Sequence, residues 1–413
     1  MWEMRVSAFA PFPISDIQPI ISEEKMNFEL TQSQKSIMTA ARDFATKEFD
    51  PQLALELERK HEFPKALYKK AASLGFVAPY VDEAYGGDGL TILENVLIVE
   101  EFCRADSSIG LAIDLAALPC KFLYRYGNHD QKTRYLSKIT SGEFGAAIAL
   151  TEPDHGSDIT SMDTVATRKN GNYRLSGTKT FITNGTIADF YTVLCQTDPD
   201  ASPKYKGMSI LIVDRGMIGK NFQVNELGEK LGIRLTSSAE LVFDDLEVPE
   251  KNVLGEAGKG FYQAMGFFEE SKIEIAAQAV GLAQGAFDMA YQYAKERKQF
   301  GKPIACFQAM QHKFVDMYLK IENARNLVYK AAFKFDQGQR DHRAAALAKF
   351  YAANVANEVA YDAMQVFGGY GYFQEYKVER YYRDARILSI YEGTAEIQKN
   401  IIGMSLFPNL PES

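Results

Sequence analysis

The texture of this sequence changes twice, and those two changes bound what the chain can fold into. From about Thr31 to Glu143 apolar residues recur at helical spacing, as in Ile37, Met38, Ala41, Phe44 and Ala45. The pattern breaks at Asp50-Pro51 and at Tyr85-Gly86-Gly87-Asp88-Gly89, where glycine and aspartate favour turns. Between Ala146 and Pro249 short apolar or alternating runs take over, among them Met208 to Val213 and Leu241-Val242-Phe243, set apart by Asn170-Gly171-Asn172 and Asn184-Gly185. Such runs between turn dipeptides predict antiparallel strands. Long helical periodicity returns from about Gly260 to Leu406, with a stop at Lys298-Gln299-Phe300-Gly301-Lys302-Pro303. The order predicts an α+β chain: an extension over 1–25, a helical domain over 26–145, an antiparallel β domain over 146–256 and a helical domain over 257–413.

At 413 residues the chain can form roughly three domain-sized layers and enclose a cofactor. Acidic residues outnumber basic ones, 54 to 46, and no basic tract is interleaved with aromatics, so nucleic acid is not the expected partner. Cys103, Cys120, Cys195 and Cys306 are far apart, and the five histidines form no ligand cluster with them. A reducing compartment, no disulfide framework and no metal are expected. No apolar run reaches the roughly 18 residues that a membrane span requires. Residues 1–25 carry Pro11, Pro13 and Pro19 and lack a basic end followed by an apolar core, so they do not read as a secretion signal, and a cytoplasmic protein is expected. Past them, Thr31 and Gln34 have the spacing of a capping box.

Chemistry concentrates near the C-terminus. In Tyr391-Glu392-Gly393-Thr394-Ala395-Glu396, Thr394 can cap a helix whose apolar face is Ile397, Ile401 and Ile402. Glu392 then sits just ahead of the helix N-terminus, where burial raises its pKa and the helix dipole lowers it. A carboxylate so poised suits a general base, although carboxylates also simply decorate first turns. Leu150-Thr151-Glu152-Pro153-Asp154-His155-Gly156-Ser157-Asp158 can turn amides and hydroxyls toward an anionic or carbonyl-rich ligand, or form an ordinary polar turn. The run Thr180 to Gly185 places Phe181 and Thr183 on one strand face, which suits a flat heteroaromatic ring or a half-buried strand. Lys295 to Lys298 complement a helix end, which leaves Phe300 unexplained at a polar terminus. Gln365 to Gly371 brings three glycines into a helical region, each costing about 1 kcal/mol there, as close approach to a ligand or partner chain would require. Asp114 stands alone in the apolar run Ser107 to Leu118, either satisfied by a basic side chain or facing a ligand.

In combination these segments resemble the acyl-CoA dehydrogenase family, flavoproteins that oxidise acyl-CoA thioesters. The motifs are Ala149 to Pro153 with Gly156-Ser157-Asp158, Glu229-Lys230-Leu231-Gly232-Ile233-Arg234, Glu296 to Lys302, Gln365 to Gly371, and Tyr391 to Thr394. The resemblance implies an N-terminal helical domain, a middle β domain and a C-terminal four-helix bundle, assembled as a homotetramer. It implies FAD as cofactor, an acyl-CoA substrate and an electron-transfer flavoprotein as acceptor. Glu392 matches the catalytic base. Leu150, Thr151, Ser157, Phe181 and Thr183 match positions lining the flavin and its pyrophosphate, with Thr394 and Glu396 beside the cofactor. Arg297, Phe300, Gln365 and Gly369 match residues that reach the FAD of a neighbouring subunit. Asp114, Ser157, Lys272, Tyr391 and Gly393 fall at substrate-facing positions. Some relatives carry the base within Phe268-Glu269-Glu270-Ser271-Lys272, where this chain has Ser271, which cannot serve. Lys272 replaces the family's usual arginine, without its planar fork. Gly110 stands where relatives acting on glutaryl-CoA place an arginine. A short, branched or alicyclic acyl-CoA, such as a cyclohexane-carboxyl thioester, is therefore expected. An acyl-CoA oxidase on the same fold, or a non-catalytic binding protein, are the competing readings.

Overall fold

The computed structural model describes residues 29–408, so the expected extension over 1–25 lies outside the described residues. Helices α1 (Gln32–Glu48), α2 (Pro51–Lys60), α3 (Lys65–Ala72), α4 (Ile92–Ala105), α5 (Ser107–Ala117), α6 (Cys120–Tyr126) and α7 (His129–Thr140) form the first layer. Their starts follow local chemistry. Thr31 and Gln34 form the expected capping box on α1, Asp50 caps α2 ahead of Pro51, and Asp106 accepts the Ile109 N–H to start α5. One expectation fails here. The stretch Ser107–Tyr126 is long and apolar enough to cross a membrane, but 89% of its most apolar window is buried inside the fold. It divides into α5 and α6 around Pro119 and is core, since a helix that is apolar on all sides must bury all sides.

Strands β1 (Ala146–Ala149), β2 (Val165–Lys169), β3 (Asn172–Thr183), β4 (Phe190–Gln196), β5 (Met208–Asp214), β6 (Phe222–Glu226) and β7 (Ser238–Pro249) build one sheet. Asn170 and Gly171, both at positive φ, close the β2–β3 hairpin as their sequence predicts. The sheet is mixed, which corrects the antiparallel reading. β1 runs parallel to β4, with Ala146 opposite Phe190, and β2 meets β4 in parallel at Gln196. Parallel neighbours need a long connection, and turn dipeptides report only the local hairpins. β4 and β5 are buried on both faces. Phe190, Leu194, Ile210 and Ile212 join the helical core, while Tyr191, Val193, Leu211 and Val213 fill a second core on the outer face. Their sequences accordingly read as unbroken apolar runs.

Helices α8 (Gly260–Glu296), α9 (Gln308–Asp336), α10 (His342–Phe367), α11 (Val378–Ala385) and α12 (Ala395–Leu406) complete the chain. α8 is central, packed between α10 and α4. Its Gly281 and Gly285 admit the backbone of α4: a Cβ would lie 2.2 Å from Glu100 O at the first and 2.2 Å from Arg104 O at the second. That close approach carries α5 against α8. Asp384 on α11 ties the three layers by accepting from Ser107 Oγ at 2.7 Å, Ser108 Oγ at 2.6 Å and Ile233 N at 2.6 Å. Two expectations change in this layer. The cluster Gly368, Gly369 and Gly371 lies beyond the end of α10, in a tight turn over Gly368–Tyr372, so no helix-interior cost applies. On α12 the buried residue is Gln398, and Ile397, Ile401 and Ile402 are only half-buried.

Candidate active site

Glu392 and Gly393 lie ahead of α12 with φ of +52° and +88°. A non-glycine residue in the left-handed region costs roughly 1–2 kcal/mol, so other contacts must hold it. Thr394 caps α12 as predicted, accepting from Ile397 N at 3.3 Å. Ser271 Oγ on α8 donates to Glu392 Oε2 at 2.7 Å. Unable to act as the base, Ser271 is instead the hydrogen-bond partner of the residue that can. Burial pushes Glu392 above the usual carboxylate range, while the Ser271 hydroxyl and the ammonium groups of Lys349 and Lys272 pull it back. The same burial lowers both Lys272 and Lys349 to about 8, against the opposing pull of Glu392. Among the described residues none accepts the Glu392 backbone N–H.

Ser271, Glu274 and Gln278 share one face of α8 at i, i+3 and i+7. Tyr391 Oη donates to Gln278 Oε1 at 2.5 Å, and Gln278 Nε2 donates to Asp114 Oδ2 at 2.5 Å. Asp114 and Tyr391, remote in sequence, are thus brought together through one glutamine. The partner of Asp114 is not a basic side chain. Its carboxyl meets that of Glu274, and burial and then Glu274 push it well above the usual range. Glu274 Oε2 lies 2.8 Å from Lys121 Nζ, in an ion pair whose angle falls outside hydrogen-bond geometry. Lys121 also pairs with Glu270 at 2.7 Å, and Arg125 pairs with Glu270. Two cations therefore face three carboxyl groups, which disfavours ionising all three at once. A narrow cavity lined by Phe76, Val99, Phe102 and Ala117 lies against Asp114 and Glu274.

The loop after β1 is held from below. Lys179 Nζ, fully buried, donates to Leu150 O at 2.8 Å and Glu152 Oε1 at 2.8 Å, while Glu152 accepts the N–H groups of Asp163 and Thr164. Thr180 N donates to Thr151 O at 2.9 Å. Ser157 stays exposed on this arch. At the adjacent irregularity of β3, Phe181 takes φ +57° and is 70% exposed, with Thr183 half-buried beside it. An aromatic ring held out in a strained conformation is explained when a flat ligand covers it, so these residues fit a flavin. His155 and Asp163 approach Glu152 in a grouping that sequence spacing did not point to, but Glu152 is already engaged by Lys179.

A second cluster forms at the far end of α8. The Arg297 guanidinium lies 5.3 Å from the centre of the Tyr370 ring, beside exposed Gly369 and Gln365, and Phe300 is 93% exposed with φ +50°. Among the described residues no hydrogen bond or ion pair joins Arg297 or Gln365 to the Leu150 loop. Glu396 is exposed on α12. Sequence reasoning missed Glu274, Gln278, Lys121, Lys349 and Gln398. A polar stripe along an otherwise apolar α8, and a single lysine amid the alanines of α10, were the signals available.

Models of the acyl-CoA dehydrogenase N-terminal, middle and C-terminal domains match residues 31–143, 147–246 and 258–407. The chain is 40% identical over 384 residues to cyclohex-1-ene-1-carbonyl-CoA dehydrogenase of Syntrophus aciditrophicus, covering 92% of each chain. It is 40% identical over 381 residues to the caffeyl-CoA reductase-Etf complex subunit CarC of Acetobacterium woodii, covering 91% of this chain and 99% of the other. Among solved structures it resembles butyryl-CoA dehydrogenase from Megasphaera elsdenii with a TM-score of 0.87 and 39% identity, over 92% of this chain and all of the other. With the helical, β and helical layers in that order and all three domains matched, this chain belongs to the acyl-CoA dehydrogenase family.

Proposed function

We propose that the chain is an FAD-dependent dehydrogenase of a short, branched or alicyclic acyl-CoA, with Glu392 as the base that removes the α-proton. The observation that carries this reading is the enclosed carboxyl of Glu392, held by Ser271 at 2.7 Å and flanked by Lys272 and Lys349. Burial strengthens the base, and the two ammonium groups favour its ionised form. The Glu392 N–H, which has no acceptor among the described residues, would hold the thioester carbonyl as negative charge develops on it. When bound, FAD supplies the acceptor for the β-hydride at its N5. Leu150, Thr151, Ser157, Phe181, Thr183, Thr394 and Glu396 would hold it, and Arg297, Phe300, Gln365 and Gly369 would reach the cofactor of a neighbouring subunit in a homotetramer. An electron-transfer flavoprotein then takes the electrons, as fits a relative named as part of an Etf complex.

Glu269, two residues before Ser271, has a buried Oε1 with no hydrogen-bond partner among the described residues, and this oxygen could accept an amide N–H of the CoA arm. Arg340, 3.5 Å from the other Glu269 oxygen, brings positive charge for its phosphates. Beyond Glu392 the chamber is short. Glu274 lies about 4.5 Å along α8 from Ser271, and the Asp114–Glu274 pair would close the chamber there. Asp114 either donates to a polar substituent on the acyl group or accepts a proton from an alicyclic ring. An arginine at position 110 would have no room, because a Cβ there would lie 2.6 Å from Cys103 N.

The test is flavin reduction by butyryl-CoA, a branched thioester, cyclohexane-carboxyl-CoA and a long straight-chain thioester, in wild type and Asp114→Asn. The reading expects fast reduction by one of the first three and a changed preference in the variant with FAD still bound. The long-chain thioester as best substrate, or identical kinetics in both proteins, would contradict it.

A further inference from the structure

Three side chains outside the proton-transfer chemistry converge on the backbone that carries Glu392. Lys349, on α10 and fully buried, donates from Nζ to Gly393 O at 2.6 Å. Gln398, on the first turns of α12 and also fully buried, donates from Nε2 to Gly393 O at 2.9 Å and to Glu392 O at 3.3 Å. The glycine permits this lock, because a Cβ at position 393 would sit 2.6 Å from that same Nε2. The third is Ser271 on the carboxyl itself. Two consecutive left-handed residues are thus pinned at both carbonyls and at the side chain, which accounts for a backbone that would otherwise relax.

We infer that Lys349 is a positioning residue for the reaction: through Gly393 O it fixes the loop that aims Glu392, and its positive charge beside that loop favours the carboxylate over the neutral acid. The inference rests on the reading of Glu392 as the base. A buried lysine is expensive, and in the alanine-rich face of α10 an apolar side chain would pack without that cost. The charged groups acting on Glu392 are Lys349 from α10 and Lys272 and Glu274 from α8; Lys349 in turn meets Glu396 from α12, and Lys272 meets Glu269. Lys349 and Lys272 offset the burial and Glu274 only in part, since the carboxyl stays above its usual range, and burial lowers each lysine to about 8. Lys349 differs from Lys272 in being bonded to the loop itself.

The test measures the Glu392 carboxyl directly in the FAD-loaded enzyme, by infrared titration of the band that disappears in Glu392→Gln. Lys349→Met is expected to raise the protonated-to-ionised ratio of Glu392 about tenfold at a given pH, a rise of about one pH unit in its midpoint. Lys349→Arg keeps the charge and should leave the midpoint in place even where turnover falls. Lys349→Gln keeps a donor without the charge and should titrate like the methionine variant; it carries the test should Lys349→Met not fold. A midpoint unchanged in the uncharged variants, or raised equally in Lys349→Arg, overturns the inference. Failure of the base reading looks different: Glu392→Gln would still be reduced by an acyl-CoA that reduces the wild type, whatever the infrared midpoints are.

Discussion

Replacing Lys121 by methionine isolates the charge balance around the Asp114–Glu274 pair. Lys121 is 1% exposed and lies between Glu270 at 2.7 Å and Glu274 at 2.8 Å, both equally buried. Without it Glu270 keeps Arg125, but Glu274 faces Asp114 with no cation. Removing one partner of a buried pair typically costs about 3–5 kcal/mol, because a charge is left uncompensated. In domains of this size that is a drop on the order of 10 °C in melting temperature. Adding Glu274→Gln removes the stranded charge, so the double variant should regain about 0.5–3 kcal/mol over Lys121→Met alone. The sign with pH follows from the same geometry. A buried carboxylate that has lost its cation is penalised only while ionised, so the penalty shrinks as acid protonates it and grows as pH rises. Scanning calorimetry at saturating FAD should therefore show the gap between Lys121→Met and wild type narrowing from about pH 7 to about pH 4.5. A double variant no more stable than the single, or a gap that widens in acid, would refute the reasoning.

Ser271→Ala removes a hydrogen bond to an ionised group, worth about 1.5–3 kcal/mol. The Glu392 midpoint should rise by about one to two pH units, and the acid limb of the flavin-reduction profile should move up with it. An unmoved limb would show that Ser271 does not stabilise the carboxylate. Asp384→Ala deprives Ser107, Ser108 and the Ile233 N–H of their shared acceptor, at about 1–3 kcal/mol for each group left unsatisfied. Urea unfolding should show the layers separating at lower denaturant; a midpoint equal to wild type would refute that role.

The layer order was readable because helical and strand periodicity are local properties of the chain, as are the caps at Thr31 and Thr394. The β1–β4 parallel pairing was not, since it depends on where a strand returns after a hairpin. Glu392, Asp114 and Tyr391 stood out as chemically placed residues, but their mutual arrangement depends on Gln278 and Glu274, which look like ordinary helix residues in sequence. The apolar run Ser107–Tyr126 shows the limit from the other side: its composition allows a membrane span, and only the packing of α4 and α8 around it makes it core. Ser271 was judged by what it cannot do. Its contribution comes from a contact across 121 positions of sequence, which no local pattern reports.

The central claim is that Glu392 removes the α-proton of an acyl-CoA. Its most direct test is an anaerobic titration of the FAD-loaded wild type and Glu392→Gln with butyryl-CoA and cyclohexane-carboxyl-CoA, following the loss of flavin absorbance. The account predicts rapid bleaching of the wild type by at least one thioester and none in the variant, with equal FAD content in both. Bleaching of the variant at the wild-type rate, or no bleaching of the fully loaded wild type by any acyl-CoA, would contradict it.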